Sequence, residues 1–110
     1  MSDPATLLVR IPAGLSSKQK LFAVLADKLQ FPSYFGWNWD ACDECLRDLS
    51  WLPAGHSIVI VHEDLPFGVG GQNRQIYRDV LQSALDHWTA DRSRSLQIIW
   101  PESLRAVPSP

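Results

Sequence analysis
A chain of 110 residues, 45% hydrophobic, with a formal charge of −2 and a pI near 5.8, is long enough to bury one core without metals or disulfides. Its mild acidity argues against a nucleic-acid binder that grips phosphates, which would show a basic patch. No basic N-terminal segment leads into a long apolar stretch, and no apolar run approaches the ~20 residues of a spanning helix. One cytoplasmic domain covering residues 1–110, without membrane attachment, is expected.

Thr6 to Ile11 (TLLVRI) is a short apolar run closed by Pro12 and Gly14, which predicts a buried strand. Ser16 with Gln19 three residues on forms a capping-box pattern, and Leu21, Val24, Leu25, Ala26 and Leu29 then recur at helical spacing. The first helix is expected from about Ser17 to Gln30, stopping ahead of Pro32, with Lys18, Lys20, Asp27 and Lys28 on a solvated face.

Phe31 to Asn38 is a loop broken by Pro32 and Gly36 and loaded with rings, among them Tyr34, Phe35 and Trp37. Asn38 suits the N-cap of a second helix over Trp39 to Leu49. Along that helix Cys42, Cys45, Leu46 and Leu49 fall at i, i+3, i+4 and i+7, an apolar stripe that must face the core. Asp40, Asp43, Glu44, Arg47 and Asp48 are left wholly or partly outside. Four carboxylates against one guanidinium give a local charge of −3, larger than that of the whole chain. Asp40, in the first turn, complements the helix dipole; Asp43, Glu44 and Asp48 lie too far along for that role and repel one another.

Residues 58–61, inside SIVIVH, predict a strand buried on both faces. His62 to Asn73 is rich in turn formers, and its VGG segment has no lysine of the phosphate-loop kind, so it reads as a connection. Ile76, Tyr77, Val80, Leu81, Ala84, Leu85 and Trp88 predict a third helix from Asn73 to near Thr89. Leu96 to Trp100 predicts the last strand, and the prolines from Pro101 to Pro110 predict a flexible tail. This alternation builds a two-layer α/β domain, a three-stranded parallel sheet with crossover helices; strands in sequence order with right-handed crossovers put every helix on one face.

Cys42 and Cys45 are spaced C-x-x-C, the spacing of a redox pair or half a zinc site. A second pair is missing, His56, His62 and His87 are scattered, and both cysteines sit on the apolar stripe. Buried, inert thiols are therefore expected, with no metal and no cofactor. Asp40 and Glu44, at i and i+4, are the spacing of a carboxylate pair for acid–base work, but acids on a convex helix offer little concavity for a substrate. The chain is read as a binding protein, not an enzyme.

The stretch Leu29 to Leu46, LQFPSYFGWNWDACDECL, resembles the barstar family, intracellular bacterial inhibitors of the ribonuclease barnase. The match lies in L-x-x-P-x-Y-[YF]-G-x-N-x-D-A followed by D-E-C-L, and the order of elements on either side is that of the family. The resemblance implies a barstar-like fold and inhibition by plugging, in which a helix bearing carboxylates takes the place of RNA phosphate among the nuclease's cations. By motif position Tyr34 matches the aromatic that packs at the enzyme's active site, Asp40 a charged contact, and Glu44 the central aspartate. Asp86 aligns with an acidic contact on the family's last helix.

Three departures stand out. Glu44 is one methylene longer than the family's aspartate, Asp43 replaces an aromatic, and Arg47 replaces a small hydroxyl residue. A cationic active site would repel Arg47 unless it pairs with Asp43, four residues before it. The expected partner surface is Tyr34, Trp37, Asp40, Asp43, Glu44, Arg47 and Asp86, and the expected partner is a basic toxin-type or extracellular-type ribonuclease, which would make the chain a cytoplasmic inhibitor or immunity protein. A non-inhibitory module for another basic protein is the second reading and a dithiol redox protein the third.

Overall fold
In the computed structural model, which describes residues 6–53, 55–67 and 71–101, the chain runs β1 (Thr6–Ile11), α1 (Lys18–Leu29), α2 (Trp39–Asp48), β2 (Ser57–His62), α3 (Gln72–Asp91), β3 (Leu96–Ile99). The strands lie in the order β1-β2-β3, both pairs parallel. Register is continuous, with Leu7, Val9 and Ile11 opposite Ile58, Ile60 and His62, and Ile58 and Ile60 opposite Leu96 and Ile98. These residues form the inner face of the sheet, on which the helices pack. The architecture is the expected α/β arrangement.

The burial of β2 departs from expectation. Its residues alternate, Ile58, Ile60 and His62 fully buried while Ser57, Val59 and Val61 are half-buried, so one face of the sheet carries the core. Strict alternation is what one-sided cover by helices requires, because successive side chains point to opposite faces. On the outer face Thr6, Leu8 and Arg10 of β1 are exposed, and Arg10 pairs with Glu63 at 3.6 Å.

The helices follow their sequence signals closely, with one correction at the start. The N-cap of α1 is Ser17, not Ser16: Ser17 is in extended backbone and its hydroxyl accepts from Lys20 N–H at 3.2 Å. The third helical position is therefore Lys20, not Gln19, and the reciprocal half of a capping box is absent. Leu21, Phe22, Leu25 and Leu29 give the buried stripe, each stabilising by about 1.5–3 kcal/mol relative to exposure. Gln30, Leu49 and Arg92 close the three helices in the left-handed conformation, a role glycine usually fills. The third helix runs one residue earlier and two later than its apolar pattern marks, and its cap, Gly71, makes no side-chain bond. Of the tail expected from Pro101, Pro101 itself is buried; the remainder, like the 68–70 part of the glycine loop, lies outside the described residues.

Two indole hydrogen bonds fix α3 against α2. Trp39 Nε1–H donates to Asn73 Oδ1 at 3.3 Å, and Trp88 Nε1–H to the Leu46 carbonyl at 2.8 Å. The first joins the two N-termini and the second the two later turns, so the helices run in the same direction. At the far end of the sheet, buried His62 gives its Nδ1–H to the Ile99 carbonyl at 3.0 Å, faces the Tyr77 hydroxyl with Nε2 at 2.6 Å, and stacks on Trp100. Since a carbonyl only accepts, Nδ1 is the donor in the bond to Ile99.

Candidate protein-binding site
The local sequence builds the site from a capped helix and a ring-packed loop. Asn38, in extended backbone, accepts from Ala41 N–H at 2.8 Å and fixes the first turn of α2. Its amide also donates back to the Gly36 carbonyl at 3.2 Å. A Cβ at Gly36 would come within 3.1 Å of that same Asn38 nitrogen, so glycine lets the loop close on its own cap. Behind the loop, Phe35 is buried edge-on against Phe22 and Phe31. Trp39 packs on Phe22, and Trp51 packs on Phe31 while donating to the Leu29 carbonyl at 2.9 Å. Trp39 and Trp51 therefore form the seam between loop and core.

Helix α2 divides as its sequence predicts. Cys42, Cys45, Leu46 and Leu49 are all buried. Burial, with Cys45 and Asp43 nearby, pushes the Cys42 thiol up to about 12, and burial first, then Asp48 and Glu44, raises that of Cys45. A redox thiol needs the opposite shift, toward thiolate.

On the outer side Asp40, Glu44 and Asp48 are exposed at i, i+4 and i+8, a single ridge of carboxylates. Like charges at that spacing each cost an isolated helix about 0.2–0.5 kcal/mol, and Asp48 stands at the end of the helix where the dipole disfavours an anion. Its Oδ1 takes the Ser50 N–H at 3.3 Å, which eases only Asp48. The ridge works against helix stability.

Asp43 and Arg47 lie on the flank, half-buried and joined at 3.1 Å between Oδ2 and the guanidinium. The sequence spacing anticipates this pair, in which Asp43 Oδ1 has no hydrogen-bond partner among the described residues. Tyr34 is 71% exposed. Local desolvation, then the Asp48 carboxylate and Cys45, raises its phenol above the usual value, which sets the ring within the field of the last turn of α2.

The third helix contributes more than the sequence indicates. A cleft of about 260 Å³ between α2 and α3 is lined by Trp39, Asp40, Asp43, Ile76, Asp79, Val80 and Ser83. Asp79, which accepts from Gln75 at 2.9 Å, is the third acid of this cleft, after Asp40 and Asp43, and one that sequence reasoning missed, because its nearness to α2 depends on the packing of two separate helices. Asp86, which accepts from Gln82 at 2.9 Å, lies at i+7 from Asp79 and i+3 from Ser83 and so continues the same row two turns on.

The site is thus a ridge of carboxylates and exposed rings turned outward from a one-sided α/β fold, with the thiols sealed inside. The sequence matches the family described as Barstar (barnase inhibitor) over residues 8–100, and the chain belongs to that family. Comparison with curated protein sequences gives no match.

Proposed function
We propose that this protein inhibits a basic ribonuclease of the barnase type, acting in the cytoplasm as an inhibitor or immunity protein and performing no catalysis of its own. The observation that carries the reading is the exposed ridge of Asp40, Glu44 and Asp48, in which like charges stand one helical turn apart at a cost to the helix. A nuclease must hold RNA phosphates with Arg, Lys and His. A carboxylate ridge on a firmly seated helix presents anions to such a cleft, with Glu44 in the place of the central phosphate and Tyr34 and Asp40 beside it.

Pairing of Arg47 with Asp43 supports the reading, since it sets a carboxylate beside the guanidinium that would oppose docking and offsets part of its charge. Complementary charge speeds encounter and makes it salt-dependent. Titrating barnase and other barnase-type ribonucleases with the protein tests the proposal. Stoichiometric inhibition that Glu44→Ala weakens without unfolding is expected. Binding to a basic protein with no loss of nuclease activity would favour the non-inhibitory module instead.

A further inference from the structure
We infer that Trp37 is a partner anchor that the fold does not need, and that it takes a basic side chain of the nuclease on its indole face. The inference rests on the inhibitor reading and adds a specificity-determining residue to it. Among the described residues the exposed large hydrophobics are Leu8, Tyr34 and Trp37, and two of these lie three positions apart in the loop ahead of α2.

The other tryptophans are held by the fold. Trp39, Trp51 and Trp88 give their indole N–H to protein acceptors, and Trp100 stacks on His62 with the Arg78 guanidinium 4.6 Å above its ring. Trp37 is 44% exposed and touches one ring, Phe35, at 5.3 Å between centroids. Its backbone is also strained, with φ +56°, where a bulky side chain is rare. Glycine would sit there freely. The loop does contain a glycine, but at 36, where the close approach of Asn38 requires it. A large ring thus occupies the one left-handed position of the loop and keeps nearly half its surface in water, the pattern of strain retained at a functional site.

The chemistry of the occupant follows from the neighbouring helix. A partner drawn to a local charge of −3 brings arginine and lysine, and tryptophan is the strongest aromatic acceptor of a cation. Trp37→Gly and Trp37→Tyr separate this role from a structural one. Trp37→Gly is expected to hold its thermal midpoint within about 5 °C of the parent, since relief of the left-handed strain offsets the lost contact with Phe35. Its affinity for an inhibited barnase-type ribonuclease is expected to fall at least about tenfold, with Trp37→Tyr between the two.

Unchanged affinity in Trp37→Gly, with the parent still inhibiting, overturns the anchor and leaves the inhibitor reading intact. A midpoint lowered by more than about 10 °C returns the ring to the fold. Self-association of the parent that Trp37→Gly abolishes, seen by sedimentation, makes a second copy the occupant. Failure of the parent to inhibit any barnase-type ribonuclease removes the inhibitor reading and the anchor with it.

Discussion
Arg94→Met, which keeps the length of the side chain and removes its donors, is expected to destabilise the fold by about 3 kcal/mol. Arg94 is 9% exposed, and its guanidinium reaches three carbonyls at the end of α2 and in the turn beyond it: His56 at 3.1 Å, Leu49 at 3.2 Å and Leu52 at 3.4 Å. A hydrogen bond from a charged donor is worth roughly 1.5–3 kcal/mol, but these are long, and the group has no carboxylate within ion-pair distance among the described residues. Removing a buried, unpaired charge returns part of its desolvation cost, which brings the sum down to about 3 kcal/mol. For a domain of this size that lowers the thermal midpoint by about 12 °C. Urea unfolding followed by tryptophan fluorescence measures it, with an unchanged m-value as the sign that the native state is intact. An ammonium cannot span three carbonyls, so Arg94→Lys should recover less than half. A loss under about 1 kcal/mol in Arg94→Met, or full stability in Arg94→Lys, would show that the three contacts do not hold the end of α2.

The remaining expectations concern the surface and the thiols. Glu44→Ala and Asp40→Ala should each weaken nuclease binding by about thirtyfold or more while unfolding within about 0.5 kcal/mol of the parent; loss of folding in both would make the acids structural. Arg47→Ala frees Asp43 and takes the helix face from −3 to −4, so association should quicken in low salt at a stability loss of about 0.5 kcal/mol, and stopped-flow mixing that finds slower association refutes the charge argument. Cys42 is held neutral in the fold up to about 12, whereas the unfolded thiol ionises from about 9, the ordinary value. The contribution is complete below pH 9 and is lost as pH rises toward 12, at up to about 1.4 kcal/mol per unit. Burial raises Tyr77 in the same sense, so Cys42→Ala should flatten the decline only in part. Native protein should also resist alkylation at pH 8 that the urea-unfolded chain undergoes readily, and equal rates would reopen the redox reading.

Local signals carried most of the fold into view. The 3.6-residue spacing of Leu21, Leu25 and Leu29 and the Asn38 cap need only neighbours in sequence, and so does the Asp43–Arg47 pair at i, i+4. Ser16 and Ser17 are chemically equivalent as caps, and only backbone geometry selects Ser17. For β2, a run of β-branched residues reads the same whether one face or both are covered; the count of helices on each side decides, and no local pattern holds that count. Arg94 and Asp79 were illegible for a related reason. The acceptors of Arg94 lie 38 to 45 positions away, and Asp79 enters the cleft only through the packing of α3 on α2.

The same long reach bears on how the chain is made. Helix α2 ends within the first half of the sequence, yet its last turn is fastened by Trp88 and Arg94, both near the end of the described residues. In an all-parallel sheet no strand pairs with a sequence neighbour through a short hairpin, so these closures wait for distant segments. During synthesis the acidic ridge emerges well before Trp88 and Arg94, and the last turn of α2 gains these two fastenings only once both have left the ribosome. A fragment stopped before Trp88 keeps the cap and ring packing at the start of α2 but lacks both bonds that fasten its end.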